Sequence, residues 1–200
     1  MVHDLSAFVL AGGKSTRMGR DKATLPFAGR TLLESALALA RSVTEDVFIL
    51  GSAELYGAYG EVIADIFPGC GPLGGIHAAL THAKNDLNLI LAVDTPFLSN
   101  RLAAYLVERA RESRAMVTAP EIDSYPQPLC AVYRRDFLPI ADQALRAGRY
   151  KIVPLLPQGR TLVIPEAELE RFAFTAEMFE NLNTPEELEQ ARRRTSDKRS

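Results

Sequence analysis

The chain is poor in the residues of sulfur and zinc chemistry. Its two cysteines, Cys70 and Cys130, lie sixty positions apart with no CxxC pair or His-rich segment beside them. A zinc site and a disulfide framework are not indicated, and a reducing compartment fits. Long apolar runs are missing as well. No stretch approaches the ~18 apolar residues of a membrane span. The amino end, MVHDLSAFVLAGG, carries an acidic residue where a signal peptide would show a basic and then an apolar region. A cytoplasmic protein without a membrane partner is expected. A basic excess is also absent: 23 Lys and Arg stand against 25 Asp and Glu, a net charge of -2, so no global positive field holds nucleic acid. Arg192, Arg193 and Arg194 follow Glu186, Glu187 and Glu189, the pattern of a solvated helix running into a tail. There is no internal repeat and no low-complexity linker.

What is present suffices for a core. With 200 residues, 47% of them hydrophobic, the chain reads as one domain over residues 1–194 and a disordered tail over 195–200. A domain of this size buries roughly 70% of its unfolded surface and needs no structural metal. Short apolar runs suited to buried strands recur at Leu5–Leu10, Val47–Leu50, Glu61–Ala64 and Leu87–Val93. Further candidates are Met116–Ala119, Leu129–Tyr133 and Thr161–Ile164. Helical patterns fall between them at Leu32–Ala40 behind Thr31, Gly75–Ala83, Leu102–Ala110 behind Ser99, and Phe137–Ala147. Thr184-Pro185-Glu186-Glu187 announces a last helix through a capping threonine, a proline at the first position and a glutamate three residues on. Strands alternating with helices predict an α/β fold, a three-layer α/β/α sandwich around a mostly parallel, Rossmann-like sheet. Ligands are then expected outside the carboxyl ends of the strands.

The segment from Leu10 to Lys22, LAGGKSTRMGRDK, leaves a buried strand and becomes abruptly glycine-rich and cationic. Gly12 and Gly13 let backbone approach an anion closely, while Arg17 and Lys22 supply charge, so the loop is suited to phosphates. It is not a P-loop, because the glycine required five residues before Gly13 is Phe8, and it has no GxGxxG. Two glycines after a strand also make an ordinary turn, and the residues alone leave both readings standing.

The same loop resembles the signature L-A-G-G-x-S-x-R-M-G-x-D-K of nucleotidyltransferases that transfer NMP groups from NTPs, specifically the molybdenum cofactor guanylyltransferase family. The resemblance continues in Pro26–Glu34, a hairpin leading into a helix, and in Asp65-Ile66-Phe67-Pro68-Gly69-Cys70-Gly71-Pro72-Leu73-Gly74-Gly75-Ile76. It extends through Leu89-Ile90-Leu91-Ala92-Val93-Asp94-Thr95-Pro96-Phe97-Leu98, the Pro126–Tyr133 strand and the Glu180–Leu188 stretch. It implies a nucleotidyltransferase-type fold and transfer of GMP from GTP to the phosphate of molybdopterin, Mo-loaded or not. Leu10, Ala11, Gly12 and Gly13 would hold the nucleotide, Arg17 and Lys22 its phosphates, Asp65 the nucleoside, and Asp94 a Mg²⁺ ion. Molybdenum-cofactor insertion proteins or recipient enzymes are the protein partners it implies.

The chemistry of the residues agrees. Guanine presents N–H donors that an ionised Asp65 could accept, and Mg²⁺ commonly uses one or two carboxylates with phosphates and water. A phosphate monoester with a second pKa near ~6 is already largely ionised, so no general base is required. Asp65 and Asp94 also read as turn or capping residues, Asn183 as a second metal-side oxygen or a strand-end group, and Tyr133 and Leu129 as core. Gly71, Gly74 and Gly75 would let a flat base lie against backbone, and Gly74 in place of the family's commoner alanine is expected to matter little. Ser52 is a weak contact candidate, and His3, His77 and His82 are read as non-catalytic. The alternatives are a molybdopterin cytidylyltransferase, a sugar-phosphate nucleotidyltransferase, or an inactive nucleotide-binding adaptor.

Overall fold

The computed structural model describes residues 4–12 and 21–197, with side chains to residue 194. Its first half runs β1 (Leu5–Leu10), β2 (Pro26–Phe27), β3 (Arg30–Thr31), α1 (Leu32–Arg41), β4 (Val47–Leu50), α2 (Ala53–Tyr56), β5 (Val62–Ile63) and α3 (Pro72–His82). There follow β6 (Leu87–Ala92), α4 (Asn100–Glu112), β7 (Val117–Ile122), β8 (Tyr125–Pro126), β9 (Cys130–Arg134) and α5 (Leu138–Arg146). The chain closes with β10 (Thr161–Ile164), α6 (Glu166–Arg171) and α7 (Pro185–Asp197). The last helix thus continues three residues into the stretch read as a tail.

The main sheet has the order β10-β7-β9-β6-β1-β4-β5, with β8 added to β7. In this order β9 alone is antiparallel to its neighbours β6 and β7, while β5, β4, β1 and β6 form a parallel half. β1 is buried at all six positions, because both faces of the sheet are covered. Leu5, Ala7 and Val9 enter one core with residues of α1, α4, α6 and α7. Phe8 and Leu10 enter the other with α3 and α5. This period-two division is what a strand buried on both sides requires, and it yields the expected three layers.

Helix starts follow local chemistry. Thr31 Oγ1 accepts from the Glu34 amide at 3.1 Å while Glu34 Oε2 accepts from the Thr31 amide at 2.7 Å, a reciprocal cap. Ser99 caps α4 through the Leu102 amide at 3.2 Å, and Thr184 caps α7 through the Glu187 amide at 3.2 Å. α3 begins at Pro72, three residues before the expected start, because its glycines are packing residues. A Cβ on Gly75 would stand 2.4 Å from Leu10 Cδ2, and one on Gly74 2.9 Å from the Phe67 carbonyl oxygen. Among the described residues, no helix is long and apolar enough to cross a membrane.

Candidate active site

The carboxyl ends of β1, β4 and β6 open into a cleft of about 960 Å³, lined among others by Leu10, Gly12, Lys22, Asp65, Asp94 and Asn183. That is the upper end of the size range for small-molecule sites. At its floor, the Ala11 and Gly12 amides both donate to the Leu50 carbonyl at 3.1 Å. Both N–H groups are therefore engaged within the fold, and what Gly12 contributes is its bareness: a Cβ there would stand 3.4 Å from Gly51 Cα. Gly13 and Arg17 lie outside the described residues.

Lys22 opens a one-turn 3₁₀ helix, Lys22–Thr24, capped by Asp21, whose Oδ1 accepts from the Ala23 amide at 3.2 Å. From there its ammonium reaches Asp94 Oδ2 at 3.0 Å and Asn183 Oδ1 at 3.1 Å. Three remote segments meet in these contacts. Asp94 stands just past β6, where the Val93 amide donates to the Leu10 carbonyl at 3.2 Å and the Leu182 amide to the Asp94 carbonyl at 2.8 Å. The second bond draws the Asn183 segment over the cleft. Asp94 Oδ1 is buried and has no hydrogen-bond partner among the described residues. A carboxylate oxygen so placed costs free energy unless a ligand completes it.

Asp65 stands on the facing wall beyond β5, open to the cleft, yet the surrounding chain desolvates its carboxyl and raises its pKa above the ordinary aspartate value. Nearby Gly71 has φ 67° and open space where a Cβ would go, so bare backbone does face the cleft at the head of α3. Gly75 lines the cleft, with Leu10 where its Cβ would stand, whereas Gly74 departs from the expectation of a base-facing surface: it does not line the cleft, and the Phe67 carbonyl fills its Cβ position. For the same reason Gly74 matters more than expected: an alanine there would press on the Phe67 carbonyl.

Leu129, read as core, lines the cleft, whereas Tyr133 is wholly buried with its hydroxyl on the Pro128 carbonyl at 2.9 Å. Asn183, left open between two roles, stands in the cleft. Ser52 lines it as well, and its side chain caps nothing in α2. His77 is buried between α3 and α5, with Nε2 3.4 Å from Asp142 Oδ1. His82 lies 3.9 Å from Glu61. Neither lines the cleft, and His3 is outside the described residues.

The sequence reading assigned no role to Asp21 or Tyr56. Tyr56, 2% exposed, points its hydroxyl at Asp21 Oδ1 (2.9 Å) and the Ala11 carbonyl (3.1 Å). Its signal is faint: an aromatic five positions after Gly51, where a Cβ would stand 2.8 Å from the Tyr56 ring.

Comparison with known proteins accords with this geometry. The family described as "MobA-like NTP transferase domain" matches residues 7–160. A "Probable molybdenum cofactor guanylyltransferase" of Pelotomaculum thermopropionicum is 35% identical over 92% of this chain and 90% of its own length. A "Molybdenum cofactor guanylyltransferase" of Desulfosudis oleivorans is 35% identical over 94% of each. Among solved structures, a molybdopterin-guanine dinucleotide biosynthesis protein A from Archaeoglobus fulgidus superposes with a TM-score of 0.84 at 27% identity, covering 96% of this chain and 99% of that one.

Proposed function

The chain belongs to the MobA-like NTP transferase family, with the molybdenum cofactor guanylyltransferases, and from that premise we propose that it transfers GMP from GTP to the phosphate of molybdopterin. The observation that carries this proposal is the 3.0 Å approach of Lys22 to Asp94, 72 residues later in the chain, in a cleft at the carboxyl ends of the strands. A cation and a carboxylate brought together there suit a triphosphate and its counter-ion.

In the proposed reaction an oxygen of the molybdopterin phosphate attacks the α-phosphorus of GTP in line. The bond from that phosphorus to the oxygen bridging to the β-phosphate breaks, and pyrophosphate leaves with the electron pair. The nucleophile, with a second pKa near ~6, is largely ionised at neutral pH, so no side chain has to take its proton. What the protein must still do is hold two polyanions together. Lys22 exchanges Asp94 for phosphate oxygens, Arg17 assists it, and Leu10, Ala11, Gly12 and Gly13 form the floor under the nucleotide. Asp65 accepts from the guanine or ribose donors.

The donor set fits Mg²⁺. Asp94 has a buried, unpartnered Oδ1 and Asn183 brings an amide oxygen close by, both hard ligands. No group of three or more His, Cys, Asp or Glu side chains suited to a metal occurs among the described residues, so phosphates and water would complete the shell. When bound, Mg²⁺ supplies positive charge against the transferring phosphoryl group. We place the enzyme in the cytoplasm, with insertion proteins or recipient enzymes taking its product.

The test is pyrophosphate release from purified protein with Mg²⁺, molybdopterin and each nucleotide in turn. GTP-dependent release is expected. Consumption of CTP instead, or of UTP with a sugar phosphate, would transfer the assignment to those classes, and GTP binding without turnover would make the chain an adaptor.

A further inference from the structure

We infer that Tyr56 is a positioning residue for Lys22: its buried hydroxyl fastens Asp21 to the carboxyl end of β1 and so fixes where the lysine stands in the cleft. This deepens the guanylyltransferase reading and rests on it for its kinetic test.

Tyr56 comes from α2, a four-residue helix whose other members are all exposed. So short a helix has little stability of its own. Its tyrosine is nevertheless fully inserted, and Gly51 provides the seat, since a Cβ on residue 51 would stand 2.8 Å from ring atom Cε2. The ring alone would explain a phenylalanine. The hydroxyl adds something a phenylalanine lacks, standing 2.9 Å from Asp21 Oδ1 and 3.1 Å from the Ala11 carbonyl, two pure acceptors ten residues apart in the chain.

One proton serves both, and the charged acceptor draws it more strongly, making the bond to Asp21 charge-assisted. Burial, reinforced by Asp21, raises the phenol pKa, so the group remains a donor across physiological pH. Asp21 depends on it. Its Oδ1 accepts only from Tyr56 and the Ala23 amide among the described residues, and its Oδ2 is buried with no partner among them. Without the hydroxyl, the carboxylate keeps a single donor among the described residues, and relief comes from moving outward. Asp21 caps the turn that begins at Lys22, so the lysine moves with it, away from Asp94 and Asn183. Misplacement of about 1 Å in such a site can cost on the order of 10²-fold in rate.

The experiment is a double-mutant cycle between Tyr56→Phe and Lys22→Ala, read as kcat/KM for GTP with Mg²⁺ and molybdopterin. Tyr56→Phe is expected to lose about tenfold in the wild-type background and under about twofold in Lys22→Ala, because the hydroxyl acts through the lysine. Wild-type activity, or the same loss in both backgrounds, overturns the inference. If Tyr56→Phe does not fold, Asp21→Ala, which removes the carboxylate that the hydroxyl holds, replaces it in the cycle with the same expectation. A nucleotide-free arm follows amide hydrogen exchange over residues 21–25 in ligand-free protein. Faster exchange in Tyr56→Phe supports the fastening, and unchanged exchange overturns it. Faster exchange together with a wild type that consumes no GTP leaves the fastening standing and rejects the guanylyltransferase assignment.

Discussion

The two ends of the sheet treat their carboxylates in opposite ways. At the base, where the parallel strands begin, each of four acids has a partner. Asp46 accepts from Ser6 at 2.5 Å and Asn85 at 3.1 Å, Asp4 pairs with Arg111 at 2.8 Å, Asp136 with Arg160 at 3.1 Å, and Asp86 with Arg134. The buried polar atoms left without a partner away from the cleft among the described residues, His77 Nδ1, Asn88 Oδ1, Arg109 Nε and Thr118 Oγ1, include no carboxylate oxygen. At the cleft end, Asp94 Oδ1 and Asp21 Oδ2 are buried without partners among the described residues, and Asp65 is desolvated. Stability explains the base. A buried carboxylate oxygen without a donor works against stability, and the end of the sheet where Asp94 Oδ1 and Asp21 Oδ2 lie is the one at which α/β sheets bind ligands.

The contrast breaks most visibly at Asp94. Asp94→Ala should lower turnover on the order of 10²–10³-fold, the usual cost of removing a group that stabilises developing charge, while the thermal midpoint shows a folded protein. Near-wild-type rates would make the unpaired oxygen incidental. The mirror experiment is Asp46→Ala at the base. It leaves the buried Ser6 hydroxyl without its acceptor and should cost about 1–3 kcal/mol in urea unfolding, with kcat for GTP unchanged in the folded fraction. A fall in kcat there would show that the ends are not separable.

Gly74 joins packing to the cleft. Gly74→Ala presses its Cβ on the Phe67 carbonyl from 2.9 Å and should destabilise by about 1–3 kcal/mol. The displaced segment carries Asp65, so KM for GTP should rise with little change in kcat, measurable by steady-state kinetics.

The smallest expected effect is a difference of sign. Desolvation raises the Asp65 pKa in the fold, so its ionisation opposes folding above that raised value and the penalty vanishes below the ordinary one. Asp65→Asn should therefore be slightly stabilising at neutral pH, with the gain fading as the pH falls. The hydrogen bond from Arg111 lowers the Asp4 pKa. Asp4→Asn should be destabilising at neutral pH, and that cost should fade as the pH falls through the lowered value. A pH series of thermal midpoints reads both, and parallel slopes would dissolve the contrast.

Much of the fold was legible because its causes are local or periodic. β1 and β6 are buried at every position and β4 at its last two, so they appear as nearly continuous apolar runs, and Thr31 with Glu34 or Thr184 with Glu187 write helix starts into four-residue windows. α6, six residues and mostly charged, carries no such period and went unread. In the cleft, the residues suggested phosphate chemistry around Lys22, but its meeting with Asp94 came from the family resemblance, since no spacing rule joins positions 72 apart. The Tyr56 contacts were invisible. A tyrosine among exposed neighbours in a four-residue helix has no periodicity to betray its burial, and Gly51 reads as a turn until the ring is seen against it. Gly74 misled in the other direction, because a glycine that admits a ligand and one that admits a neighbouring chain look alike in sequence.

The most direct measurement is a crystal structure of the protein with GTP and Mg²⁺. Lys22 Nζ should have left Asp94 for a phosphate oxygen, with Asp94 facing the metal and the triphosphate between them. A triphosphate bound elsewhere, with the lysine still on Asp94, would contradict the account.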